Sequence, residues 1–384
     1  MTSRFDQPPW WHRLRPLITS YDWPLLAVVL ALGAAGMVTM YSVGFDHGTR
    51  FVDHGRNMLL ALLVMLVVGQ VPPQRLLALA VPLYSLGVAL LVATALFGLT
   101  RKGATRWLQV GVVIQPSELL KLAMPLMLAW WFQRREGQLR ALDFAAAALL
   151  LLVPVALVAR QPDLGTAILI FSAGVYVIFF AGLSWRLIAP VAVLAALAVA
   201  AIVITADTLC EPERVWPVLR EYQKQRVCTL LDPTTDPLGK GFHIIQGMIA
   251  IGSGGLTGKG FMNGTQTHLD FIPERTTDFI FAAFGEEFGL LGGLGLLLAF
   301  CLLIGRGLWI AAQAPTLFSR LLAGALTMGF FTYAFVNMGM VSGILPVVGI
   351  PLPFISYGGT AMVTLGTALG MLMSISRSRG LMRR

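Results

Sequence analysis

Charge is scarce in this sequence. Only 12% of its 384 residues are Asp, Glu, Lys or Arg, against ~25% in an ordinary soluble domain, which argues against a water-soluble fold. Cysteine is rarer still, at 3 residues, and no CxxC or close His pair accompanies them, which argues against a metal centre. Cys210 and Cys228 flank a polar segment where a disulfide is chemically allowed. Spacing alone leaves open both that pairing and two separate thiols. A nucleotide loop is missing too. GSGGLTGKG (252–260) is near GxxxxGK[ST], but Ser253 stands where Gly is required and Gly260 where Ser or Thr is required. It reads instead as a flexible loop over a binding surface.

Apolar residues are abundant, at 57% of the chain, with a mean hydropathy of +0.76. They cluster in long runs, and a run of about 18 or more reads as a transmembrane helix. Ten spans are predicted, at 23–42, 57–71, 76–98, 117–133, 143–159, 165–182, 187–206, 278–304, 319–343 and 355–375. The fold class is all-α, a polytopic membrane protein forming one domain over 1–384, with a large loop (207–277) between spans seven and eight. The first run lacks the small-residue cleavage site of a signal peptide and reads as a retained anchor. Short loops on one side carry 14 Arg, those on the other 6 Lys or Arg (Arg50, Arg56, Arg101, Lys102, Arg106, Arg160). The positive-inside rule then makes both termini cytoplasmic. The net charge of +9 reflects that orientation and contact with membrane lipids, and calls for no nucleic acid.

Four polar clusters fall on the external side under this topology. RKGATRWLQVGVVIQPSELLK (101–121) opens span four with Pro116 and Ser117, Ser being a natural N-cap. Glu118 and Lys121, three apart on one helix face, form an ion pair; a structural pair and a functional one are both open. ARQPDLGTA (159–167) is a tight turn in which Asp163 reads first as a cap. NMGMVSGILPVVGIPLPFISYGGTA (337–361) breaks helix at membrane depth, which is tolerated where backbone lines a cavity or packs on protein. FIPERTTDFIFAAFGEEFG (271–289) leads into span eight, with Asp278 at its start. Glu286 and Glu287 lie about 12 Å deeper at 1.5 Å per residue and read as buried structural partners. GFHIIQGMIAIG (241–252) reads as an interfacial amphipathic helix, and Asn337 as a bond across helices. Capping explains single residues here, but not the shared sidedness, which points to an external cavity for something polar.

These motifs, from KGATRWLQVG through QPSELLK, QPDLGTA and LDPTTDPLGKGFHIIQGMIAIGSGGLTGKG to GTQTHLDFIPERTTDFIFAAFGEEFG and VVGIPLPFISYGGTA, resemble the SEDS family (shape, elongation, division and sporulation). The similarity covers nearly the whole chain and is greater to the rod-shape branch than to the division branch. The resemblance implies a peptidoglycan glycosyltransferase that polymerises lipid II, a disaccharide-pentapeptide on a polyprenyl pyrophosphate, beside a class B penicillin-binding protein as transpeptidase. It implies Asp278 as the essential acid, and carries Glu118, Lys121 and Asp163 over from the PSE-K and QPDLG motifs. Thr276 departs from the pattern, where His is common, and 207–221 looks like extra sequence.

The chemistry suits those residues. A pyrophosphate leaving group is already a stable anion, so the acceptor hydroxyl's base is the main requirement. Asp278 is expected to be that base, or a ligand for a divalent cation doing the equivalent job; the cofactor is left open. Developing phosphate charge calls for cations, with Arg101, Lys102, Arg106, Lys121 and Arg275 as candidates and Lys121 and Arg106 preferred. Trp107 reads as a sugar or polyprenyl contact, or equally as an interfacial anchor. The rival functions are a transporter of lipid II or another amphiphile, and a non-catalytic scaffold for the transpeptidase. The asymmetric placement of the polar motifs weighs against transport.

Overall fold

The computed structural model describes residues 21–45, 48–101, 104–211, 221–236, 239–269, 271–272 and 274–382. In chain order come α1 (Trp23–Val43), α2 (Arg50–Val68), α3 (Pro73–Phe97), strands β1 (Leu99–Arg101), β2 (Ala104–Val110) and β3 (Val112–Ile114), α4 (Pro116–Gln133), α5 (Ala141–Arg160), α6 (Leu164–Phe180) and α7 (Trp185–Ile204). The long loop holds α8 (Ala206–Leu209), α9 (Glu221–Leu231), α10 (Lys240–Ser253) and α11 (Thr265–His268). Then follow α12 (Ile280–Ala312), α13 (Leu317–Val341) and α14 (Gly359–Met382).

Each of the ten expected spans is a helix, and 8 helices among the described residues are long and apolar enough to cross a membrane. The other two have physical reasons to fall short. α6 has 17 residues, and α4 carries Glu118 and Lys121. The expected spans differ at their ends where charge misled the hydropathy pattern. α2 starts at Arg50 rather than 57 because Arg50, Asp53, His54 and Arg56 are helical despite their polarity. α12 runs on to Ala312, past Arg306.

In lipid the hydrophobic effect does not hold helices together, so close packing of small residues must. The α2–α14 pair shows it. A Cβ at Gly366 would stand 2.4 Å from Ala61 O, and one at Gly370 2.8 Å from Met65 O, so the GxxxG spacing lets two backbones touch. α13 packs on α4, α6 and α12 and is the most buried span. α7 is the opposite extreme and buries none of its side chains.

At one end of the bundle, Asp22 caps α1 and receives both Nε (2.9 Å) and Nη2 (3.0 Å) of Arg306. Ser376 Oγ on α14 adds a third contact at 2.7 Å. The opposite end carries the sheet, the long loop and Asp278.

The sheet is what the all-α expectation lacked: β1–β2–β3 is a small antiparallel meander. Its signal was present as alternation in TRWLQV and as Gly111, which sits at φ +74° in the β2–β3 turn. Cys210 and Cys228 are disulfide-bonded, with Cα atoms 5.6 Å apart, which ties the segment after α7 to α9.

α12 breaks at Gly289 (φ 64°, ψ −162°). A broken helix exposes backbone groups, and the loop after α10 supplies their partners. Lys259 N–H donates to Glu286 O and Gly260 N–H to Glu287 O (both 3.0 Å), while Leu290 N–H donates to Gly255 O (2.9 Å) and Leu291 N–H to Leu256 O (3.1 Å). A Cβ at residue 289 would lie 2.3 Å from Gly258 N. The GSGGLTGKG segment is therefore a fitted plug for the helix break, and not the flexible loop its glycines suggested.

Candidate active site

Asp278 lies on a tight turn, 274–279, in which Thr277 and Phe279 amides donate to Glu274 O (3.1 and 3.2 Å). The side chain is half-exposed. α12 starts two residues later, and its N-cap is Phe279 with no side-chain capping bond. Asp278 therefore does not cap this helix.

Three consecutive residues of this turn are held by their backbones. Tyr357 N–H donates to Thr276 O at 2.8 Å, Ser356 Oγ–H donates to Thr277 O at 2.7 Å, and Asn337 Nδ2 donates to Asp278 O at 2.9 Å. Asn337 also donates to Ile350 O at 2.7 Å, so it bonds to two loop carbonyls rather than across to another helix. Gly349, at φ +74°, packs against the carboxylate: a Cβ there would lie 3.3 Å from Asp278 Oδ2. The Pro- and Gly-rich stretch after α13 is therefore the clamp that positions Asp278.

The same clamp meets the other polar clusters. At Gly165 in the first turn of α6, a Cβ would come within 2.7 Å of Val348 O. Asp163 caps that helix, accepting from Thr166 N–H at 3.2 Å, as the cap reading expected. It also takes Gln115 Nε2 at 3.0 Å and lies 3.8 Å from Arg106 Nη1. Arg106 itself donates from Nη2 to Pro162 O, which fastens β2 to the α5–α6 turn. Helix α4 starts at Pro116 with Gln115 as N-cap, so Ser117 is inside the first turn and not the cap.

Glu118 and Lys121 pair at 2.6 Å, with side chains only 16% and 8% exposed. Thr364 of α14 donates to the second Glu118 oxygen at 3.1 Å. Lys121 Nζ lies 5.7 Å from the Tyr333 ring centroid on α13. Lys121 lines a small, mostly apolar cavity of about 40 Å³ between α4, α6, α13 and α14, with Tyr333 and Thr364 also on its wall.

Arg275 goes elsewhere. It is buried and donates from Nε to Val43 O (3.1 Å) at the end of α1, with the guanidinium 5.4 Å from the Phe45 ring. Glu287 accepts from Ser42, the adjacent residue of α1. Arg275 and Glu287 thus both reach the Ser42–Val43 end of α1. Glu286 is a buried structural partner, as expected: it takes Lys259 Nζ at 2.6 Å and Gln266 N–H at 2.9 Å.

Trp107 lies half-buried on β2 opposite Leu99, and Arg101 ends β1. Lys102 is outside the described residues. Among the described residues no group of three His, Cys, Asp or Glu side chains is placed to hold a metal ion. Sequence reasoning missed Arg50, which donates from Nη1 to the Thr276 hydroxyl.

The family model described as "Cell cycle protein", for FtsW, RodA and SpoVE, matches residues 21–380. The chain belongs to this family. It is 46% identical over 381 residues to the peptidoglycan glycosyltransferase MrdB of Escherichia coli K12, covering 99% of this chain and 98% of MrdB. It is also similar to a chain of a peptidoglycan synthase complex solved to explain how polymerization and crosslinking are coordinated. That match has 34% identity and TM-score 0.75 and covers 94% of this chain and 98% of the other. Crystalline RodA of Thermus thermophilus matches at 29% identity and TM-score 0.67, over 94% of this chain and 97% of its own. These matches agree with the SEDS resemblance drawn from the motifs.

Proposed function

We propose that this chain is a peptidoglycan glycosyltransferase that polymerises lipid II for cell elongation and rod shape. The Asp278 end faces outward from the cytoplasmic membrane and both termini are cytoplasmic. One observation carries the reading. Asp278 is half-exposed on a turn whose backbone is gripped at three consecutive carbonyls, in a chain 46% identical to a protein named for this activity.

In the reaction, the acceptor sugar hydroxyl attacks the anomeric carbon of the donor. The Asp278 carboxylate takes the hydroxyl proton, the new C–O bond forms, and the anomeric carbon–phosphate oxygen bond breaks with its electron pair leaving on the pyrophosphate. A base on a gripped turn stays within reach of the hydroxyl without reorganising. Arg106 and the Lys121 ammonium supply positive charge at the same end of the bundle, while Asp163 orients Arg106. A class B penicillin-binding protein is the partner that crosslinks the product, in keeping with the crosslinking described for the similar complex.

The test is polymerisation in detergent, where there is no bilayer to cross. Purified chain with lipid II should yield glycan strands on a gel. No glycan, even with an active transpeptidase partner present, would favour transport or scaffolding instead.

A further inference from the structure

α2 begins with Arg50, a residue that hydropathy leaves outside the span. The half-buried guanidinium donates from Nη1 to Thr276 Oγ1 and lies 5.8 Å from the Tyr357 ring centroid. Both partners belong to the grip on Asp278. Thr276 precedes it by two residues, and Tyr357 donates its amide to the Thr276 carbonyl.

Arg50 has no carboxylate within ion-pair distance among the described residues. Asp53, one turn along α2, is taken by Arg56 at 3.1 Å and by Thr49 Oγ1–H at 2.9 Å. A guanidinium offers five N–H donors, and a single hydrogen bond is formed here among the described residues. A fixed cation at the edge of a membrane helix, with no counter-ion among those residues, suits an incoming anion. Its level narrows the choice. Arg50 stands at the polar start of α2, about 10 Å along the helix from its apolar run, the side on which the phosphates and sugars of a lipid-borne pyrophosphate lie beyond its hydrocarbon.

We propose that Arg50 is a substrate-binding residue of the Asp278 site, holding the pyrophosphate of a polyprenyl-linked sugar, with Thr276 and Tyr357 aiming the guanidinium. The assignment rests on the glycosyltransferase reading above. A flat fork of donors matches phosphate oxygens two at a time and explains why an Arg, rather than a Lys, is anchored to the turn. It also gives Thr276 a role, since its hydroxyl oxygen accepts from the guanidinium.

The test uses the full-length chain in detergent and two probes. Polyprenyl pyrophosphate carries phosphates only, and free disaccharide-pentapeptide carries carboxylates only. Arg50→Gln should bind polyprenyl pyrophosphate about tenfold more weakly or worse, with the melting temperature held. Arg50→Lys should recover part of the loss, and Thr276→Val should cost a few-fold. In polymerisation, Arg50→Gln should raise KM for lipid II more than it lowers kcat. Unchanged affinity for polyprenyl pyrophosphate in Arg50→Gln, or a loss confined to the disaccharide-pentapeptide, overturns the assignment while wild-type glycan synthesis keeps the enzyme reading intact. A kcat loss with unchanged KM and probe affinity makes Arg50 a strut for the turn and overturns it as well. Wild-type chain that binds the pyrophosphate probe through Arg50 yet makes no glycan overturns the enzyme reading alone.

Discussion

At the Asp22 end, a carboxylate and a guanidinium close on each other. Asp22 is 5% exposed, caps α1, and takes Arg306 through two bonds and Ser376 through a third. At the Asp278 end, the hold is of another kind. Asp278 is half-exposed on a turn fixed through its backbone, while Arg50 is anchored to a neutral hydroxyl and an aromatic ring. The first arrangement uses side-chain charge to lock three helices. The second uses backbone and neutral contacts to position charged side chains. The contrast is local to Asp278's own turn, because Glu118–Lys121, Asp163–Arg106 and Glu286–Lys259 pair elsewhere at that end.

Opposite outcomes are expected from isosteric changes at the two ends. The largest is Asp278→Asn, which should cut glycan polymerisation by about 100-fold or more and leave the melting temperature within a degree or two. Near-normal lipid II polymerisation by that variant would end the distinction between the ends.

Next in size is Lys121→Ala, which strands the Glu118 charge inside the helix bundle. It should destabilise the protein by about 3–5 kcal/mol, read as loss of monodisperse protein in detergent. Glu118→Gln with Lys121→Met should restore folding while leaving polymerisation impaired. If the double variant is fully active, the pair is a strut and belongs with the Asp22 end in kind.

The smallest effect concerns pH at the Asp22 end. Burial pushes the Asp22 carboxyl up, but hydrogen bonds from Arg306, Ser376 and the Leu25 amide outweigh it and hold the group below the ordinary carboxylate value. Its stabilisation is complete above the unfolded-state value of about 3.9 and is lost as pH falls through the lower folded value. Asp22→Asn should destabilise the protein at pH 7 by about 1.5–3 kcal/mol through lost charged hydrogen bonding, read as a lower melting temperature, and flatten the acid limb below about pH 4. Polymerisation at permissive temperature should be unchanged. An acid limb that persists in the variant would place the responsible carboxylate elsewhere.

The spans were readable because hydropathy is a local property. Each of α1 to α7 and α12 to α14 carries its apolar run in consecutive residues, so the ten-helix pattern needed no knowledge of packing. The gathering of the polar clusters at one end was readable for the same reason, since alternating spans bring every second loop to the same side. The sheet at 99–114 was overlooked because a short alternating stretch is a weak signal between strong spans. The helix break at Gly289 was overlooked because GLLGG looks continuous with the apolar run on either side. Asp163 could be read as a cap from QPDLG, yet its bond to Gln115 depends on how two helix starts meet.

Composition and local pattern by themselves determined that this is a many-span membrane protein with its polar motifs at one end, while the motif resemblance singled out Asp278. Only the tertiary structure decided what each charge is paired with. Glu286 is bound to Lys259 and Arg275 to the end of α1, whereas Arg50 comes from a different span to stand beside Asp278's turn; the i,i+3 pair of Glu118 and Lys121 is the exception that local spacing gave. The reason is that hydropathy acts on neighbours along the chain. A charge's role depends on neighbours in space, and those are fixed by how Gly366, Gly370 and the 349–357 clamp let separate helices approach.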